Sequence, residues 1–159
     1  MQLRSSRDEV ERSICEAFAN VQRPQTSDVA PHDCPECAHL RKFLSPHEFA
    51  DVPDKTIDNL SNSLPLLGSK GLHYYLPAYL LRALHDPNYR GIDLLVYHLA
   101  PSDVDIEKNG PYWPQRLTLF SPAQRQAILS FVDWLATTGI ENHYPEELAR
   151  ARNVWAKAA

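Results

Sequence analysis

A chain of 159 residues, 43% of them hydrophobic, can bury one core but is too short for two comfortable domains, so we predict a single domain. Sixteen basic and twenty acidic residues give a formal net charge of −4, and the longest basic run is the pair Arg41 and Lys42. This distribution argues against a nucleic-acid-binding protein, which would need a basic face. The sequence shows no secretory signal and no apolar run long enough to span a bilayer, so we expect a cytoplasmic protein with no membrane partner.

The first third of the chain is predicted to form helices joined by a loop. Apolar residues at helical spacing over 7–21 mark one face of the first helix, and acidic residues occupy its first turn. The segment 22–33 contains two prolines and is predicted to be a loop. Pro35 suits the first position of a second helix with Cys34 at its N-cap. The sequence SPHE at 45–48 has the form of a capping box before another short helix.

The stretch from Ser69 to Asp86 is predicted to be the central helix. Its residues are apolar on almost every side, and a helix with that pattern has neighbours on most sides. Pro77 removes one intrahelical hydrogen bond, which predicts either a kink or the start of a second helix at that residue.

The second half of the chain contains further helices and one irregular segment. Helices are predicted over 91–100, from a second capping box at Ser121, and from Pro145 to the end. The segment 101–119 has no clear period, and a short strand or hairpin is an alternative for residues 112–120 because RLTLF alternates. We therefore expect an all-α fold, an irregular single-domain bundle of about six to eight helices.

The sharpest chemical signal is the sequence HDCPECAH. Cys34 and Cys37 lie at a helix start, where two thiolates can hold one edge of a tetrahedral zinc ion. Candidates for the remaining ligands are His32, His39 and His47, although the second separated half-site of most structural zinc sites is missing. Two alternatives to zinc binding stay open. The cysteines can form a thiol-disulfide motif, although such a motif normally follows a strand, or they can pack or cap the helix start while the histidines are solvated. The cofactor is thus either zinc or none.

The irregular segment 101–119 also holds the predicted partner-binding residues. Tyr112 and Trp113 lie beside prolines, and aromatic residues on such loops bury a large area at small entropic cost. The alternative is that both rings fold back over the core. Three nearby acidic residues belong to the same predicted surface: Asp103, Asp105 and Glu107. Their spacing resembles the start of a calcium loop, but a lysine replaces the turn glycine, so we expect a solvated acidic loop.

Motifs for catalysis are missing from the sequence. There is no nucleophile elbow, no phosphate-binding glycine loop and no metalloprotease motif, so no catalytic residue is assigned. His85 and His98 either face each other across two helices or have ordinary hydrogen-bond partners.

Three stretches carry a family resemblance: HDCPEC, HYYLPAYLLRAL and FSPAQRQAILSFVDWL. Together they resemble a bacterial family of small uncharacterised proteins that is defined only as a domain of unknown function. The resemblance implies a bacterial cytoplasmic origin and offers no activity or catalytic residue to transfer. Small acidic proteins of this kind are often immunity proteins that neutralise a toxin, which is an analogy of size and charge.

These observations favour a non-catalytic protein-binding protein, with a toxin-neutralising immunity protein as its specific form. The predicted partner is therefore a protein, such as a toxin. The alternative hypothesis is a zinc-binding or thiol-redox enzyme centred on Cys34 and Cys37.

Overall fold

The computed structural model describes residues 5–157 and is built of α-helices, with no strand in that range. The helices are, in chain order, α1 (Arg7–Phe18), α2 (Thr26–Val29), α3 (Pro35–Leu44), α4 (Asp54–Leu60), α5 (Ser69–His85), α6 (Ile92–Leu99), α7 (Asp103–Lys108), α8 (Tyr112–Leu117), α9 (Pro122–Ala136) and α10 (Pro145–Ala156). Three 3-10 segments lie between them: Phe49–Asp51, Ser61–Leu66 and Ile140–Asn142. The all-α prediction is confirmed. The helices outnumber the expected six to eight because short connections such as α2, α7 and α8 are themselves helical.

Helix α5 lies at the centre of the fold. Twelve of its 17 residues are buried, and it packs against α1, α2, α4, α8 and the 3-10 segment Phe49–Asp51. Pro77 is buried inside a continuous helix, so no second helix begins there. The predicted central helix is therefore confirmed. Across residues 5–157, none of the helices has the length and apolarity needed to cross a membrane.

Two buried tyrosines of α5 tie the ends of other helices to the core. The Tyr75 hydroxyl lies 3.0 Å from the Leu44 carbonyl oxygen and 2.9 Å from that of His47, so it can donate to either. The Tyr79 hydroxyl donates to the Leu60 carbonyl oxygen at 3.2 Å. Burial raises the pKa of Tyr79, which keeps its hydroxyl protonated as a donor.

The backbones of α2 and α5 approach each other closely at a glycine. A Cβ atom on Gly71 would lie 2.1 Å from the carbonyl oxygen of Val29, so only a residue without a side chain fits. The same carbonyl accepts a hydrogen bond from the Gly68 amide at 2.9 Å. This contact holds the segment that leads into α3 against the central helix.

Helix α9 packs against α1 and α10 and begins with the predicted capping box. Ser121 Oγ accepts from the Gln124 amide at 3.2 Å, and Gln124 Oε1 accepts from the Ser121 amide at 2.9 Å. The capping box predicted at 45–48 is wrong. Ser45 instead follows the last turn of α3, and Glu48 makes no side-chain cap bond to the next segment.

Residues 112–120 form helix α8 and a turn, so the alternative prediction of a strand there is wrong. The buried side chain of Arg125 explains how this turn satisfies its backbone. Arg125 Nε donates to the Phe120 carbonyl oxygen at 3.2 Å, and its Nη2 donates to that of Leu117. Since a side chain takes these acceptors, the alternating segment needs no partner strand.

Candidate functional site

The first candidate site lies at the start of α3. Cys34 is the N-cap residue, in extended conformation, and its Sγ accepts a hydrogen bond from the Cys37 amide at 3.4 Å. Pro35 follows at the first helical position, as predicted. Cys34 is half-buried, whereas Cys37 faces the core and is fully buried. The two thiols therefore share one helix start but differ in access to solvent.

The Cys37 thiol is held in its protonated form. Its pKa is raised first by burial and then by its hydrogen bond with the Cys34 side chain. The backbone of His32 and the Arg41 guanidinium oppose this effect and lower the Cys37 pKa to a smaller extent. The contact between the two residues in the structure is the hydrogen bond from the Cys37 amide to the Cys34 sulfur.

The predicted histidine ligands are placed differently from the cysteines. His32 and His39 are both exposed, and the His39 ring lies with its centroid 6.0 Å from that of Phe43. No group of three or more His, Cys, Asp or Glu residues within 5–157 is arranged to hold a metal ion. The structure brings Cys34 and Cys37 together, and zinc binding at this segment stays a prediction.

The second candidate site is a cleft of about 580 Å³ between α6, α7 and α8. Most of its wall is apolar or aromatic, with one carboxylate and one amide. The lining residues are Pro65, Leu94, Tyr97, His98, Pro101, Asp105, Asn109, Tyr112 and Trp113. The cleft thus contains three of the five predicted partner-binding residues.

The two aromatic residues of α8 are fixed parts of the cleft wall. Trp113 is buried, and its ring centroid lies 5.3 Å from that of Tyr112 in an edge-to-face arrangement. The Tyr112 hydroxyl donates to the Pro65 carbonyl oxygen at 2.8 Å, and the Arg116 guanidinium lies 3.5 Å from the Tyr112 ring centroid. The alternative prediction, in which these rings fold back over the core, describes Trp113 better than a free loop anchor does.

His98 forms the buried end of the cleft. It is 8% exposed, its ring centroid lies 5.0 Å from that of Trp113, and its Nε2 has no hydrogen-bond partner in the protein. Burial, and secondarily the charge of Arg116, lowers the pKa of His98 to about 4. The imidazole is therefore neutral at physiological pH. His85 does not pair with it and instead lies 3.1 Å from Asp54.

The predicted acidic loop is the short helix α7. Asp105 accepts hydrogen bonds from the Ser102 amide at 2.9 Å and the Ser102 hydroxyl at 2.8 Å, which lower the Asp105 pKa. Asp103 and Glu107 are exposed on the same helix, and Asp103 lies 3.9 Å from the Lys157 ammonium. One carboxylate therefore caps α7 at the edge of the cleft, and all three are exposed.

A family model for a family of unknown function, DUF6714, matches residues 6–159. The chain belongs to the DUF6714 family. This confirms the resemblance to an uncharacterised domain family. No curated protein and no solved structure matches the chain.

Sequence reasoning missed several cleft residues of this DUF6714 member. Tyr97 lies on α6 outside its buried face, is 50% exposed, and packs edge-on against Tyr144 with centroids 5.8 Å apart. The sequence could have indicated Tyr97 as a surface residue with a function, because it is an aromatic residue on the polar side of an amphipathic helix. Pro65 and Asn109 come from segments far apart in the chain, and no local pattern indicates that they meet.

Proposed function

We propose that this DUF6714 member is a non-catalytic protein-binding protein whose cleft between α6, α7 and α8 binds a basic segment of a partner. The observation that carries the proposal is the combination of an aromatic cleft wall with an acidic helix at its edge. Aromatic rings and carboxylates both attract a lysine or arginine side chain.

The aromatic contribution comes from rings that are already ordered. Tyr97 is packed against Tyr144, and Tyr112 is held by its hydrogen bond to Pro65. When a partner covers these rings, they lose little side-chain entropy. This property makes tyrosine common at interfaces. Helix α7, which carries the cleft residue Asp105, also exposes the apolar side chain of Val104.

The charge of the cleft edge favours a basic partner. Helix α7 carries three carboxylates and a single lysine. The low pKa of Asp105 keeps that carboxylate ionised well below neutral pH. Neutral His98 adds no positive charge to the cleft at pH 7, and the Arg116 guanidinium against the Tyr112 ring adds one. Charge complementarity of this kind increases association rates and selects against acidic partners.

The specific partner that we propose is a basic toxin, which would make this a bacterial cytoplasmic immunity protein. The support is the small size and the formal charge of −4, together with the acidic helix at the cleft. The hypothesis rests on the analogy of size and charge described above.

Affinity purification from the native host, followed by calorimetry with the isolated partner, tests this function. We would compare the wild type with Tyr97→Ala and Glu107→Lys. Phe43→Ala is the matched control, because Phe43 is 43% exposed but lies outside the cleft. Truncating a central interfacial tyrosine costs about 2 kcal/mol, which weakens the Kd about thirty-fold.

The proposal is supported if one basic protein binds the wild type and Phe43→Ala equally and Tyr97→Ala at least about ten-fold more weakly. Equal binding by all variants would contradict the cleft as the interface. Co-expression of the partner with and without this protein then tests the toxin: growth arrest that the wild type relieves and Tyr97→Ala does not would support it, and no arrest would refute it.

A further inference from the structure

We infer that Cys34 and Cys37 are a dithiol that closes reversibly to an intrachain disulfide by exchange with a disulfide-containing molecule. Neither cysteine lines the cleft between α6, α7 and α8, so this inference is independent of the proposed binding function. It assigns a modification site to the start of α3 and names disulfides as its class of reactant.

The geometry at the start of α3 places the Cys34 sulfur against the helical turn that carries Cys37. Cys34 is the N-cap, and its Sγ is already 3.4 Å from the Cys37 amide nitrogen. Residues three apart at a helix start lie on one side of the helix, as a disulfide with Cα atoms about 4.4–6.8 Å apart requires.

The two cysteines differ in access, which gives each a separate role. Cys34 is half-buried and can meet an external disulfide, whereas Cys37 is fully buried and is shielded from one. Cys15, the remaining cysteine, lies on α1 and is a half-buried free thiol. The arrangement therefore separates an attacking thiol from a resolving thiol.

The exchange balances as two thiol-disulfide steps. The Cys34 thiol loses its proton, and the thiolate attacks one sulfur of the external disulfide, which forms a mixed disulfide and releases one thiol. Cys37 then loses its proton, attacks Cys34 Sγ and displaces the second thiol. The two cysteines are oxidised, and the external disulfide is reduced to two thiols.

Equilibration of the full chain in mixtures of reduced and oxidised glutathione tests the inference. Free thiols are then trapped with an alkylating reagent, and the masses of the intact protein and of its peptides are measured by mass spectrometry. Cys34→Ser removes the attacking sulfur and keeps the fold, because serine is a preferred N-cap residue. Cys15→Ser is the matched control. Each sample is run with and without EDTA.

We expect the wild type and Cys15→Ser to lose two alkylation sites and the mass of two hydrogen atoms in one transition as the oxidised fraction rises. Dithiothreitol should restore both sites, and Cys34→Ser should lose none. Three results would overturn the inference: all three thiols stay free in oxidised glutathione, Cys34 stops at the mixed disulfide with glutathione, or Cys34 and Cys37 react only after EDTA, which would make them metal ligands.

Discussion

Replacing His98 with phenylalanine should remove an acid-sensitive component of stability. The His98 pKa falls from its ordinary value of 6.5 to about 4 in the native protein, because the ring is buried near the Arg116 guanidinium. Between these two pH values the unfolded chain binds a proton that the native protein does not bind. The free energy of unfolding is therefore highest above about pH 6.5 and falls as the pH drops toward 4.

The magnitude follows from the two pKa values. From 6.5 and about 4, the histidine alone lowers the free energy of unfolding by about 2 kcal/mol between pH 7 and pH 5, and by about 3 kcal/mol once the pH is below 4. Phenylalanine has a similar shape, and no hydrogen bond is lost because Nε2 has no protein partner. Asp105, the carboxylate of the same cleft, has a lowered pKa and stays ionised over the higher part of this range.

Urea denaturation at a series of pH values between 7 and 4.5 measures the effect. The quantity to compare is the difference between wild type and His98→Phe, since the other carboxylates titrate alike in both. His143→Phe is the control, because His143 is exposed. Parallel curves for the wild type and His98→Phe would refute the reasoning, and so would an equal change in slope for His143→Phe.

Three further substitutions test contacts that hold the fold, each by urea or thermal unfolding. Gly71→Ala places a Cβ 2.1 Å from the Val29 carbonyl oxygen and should cost about 3 kcal/mol or prevent folding. Arg82→Met removes a two-pronged ion pair with Asp58, at 2.7 and 3.1 Å, from a side chain that is 12% exposed, and should cost about 2 kcal/mol. Ser121→Ala removes the capping box of α9 and should cost about 1 kcal/mol.

Matched controls separate these effects from general sensitivity to mutation. Lys70→Ala changes the exposed neighbour of Gly71 and should cost less than about 1 kcal/mol. Arg152→Met breaks an ion pair at 2.9 Å whose arginine is 36% exposed, and the same limit of about 1 kcal/mol applies. Ser130→Ala lies inside α9 and removes no cap. If a control costs as much as its partner substitution, the assigned contact is not the cause.

Local patterns predicted most of the helices correctly because the residues that determine each helix lie within a short stretch of the sequence. The apolar spacing of α5 and the hydroxyl and amide at the start of α9 act within a few residues of each other. The position of the two cysteines was also predictable from a short stretch of sequence. Cys34 at the N-cap and Cys37 one turn later meet because a helix starts between them, so their proximity follows from sequence alone.

The candidate cleft depends on contacts that no local pattern contains. The alternation in RLTLF allowed a short strand as an alternative, but the Leu117 and Phe120 carbonyls accept hydrogen bonds from Arg125, a residue of the next helix. Trp113 was predicted either as a loop anchor or as a ring folded over the core, and its burial follows from the packing of α8 against α5 and α7 and of the Trp113 ring against His98.

The sequence by itself determined the helical class, the central helix and the placing of Cys34 and Cys37 at one helix start, because hydrophobic period and capping chemistry operate over one or two turns. The tertiary structure alone decided that His98, Tyr97 and Trp113 share a cleft with Asp105 at its edge. It also decided that His98 is neutral, because desolvation depends on which helices cover a side chain and not on its neighbours in the chain.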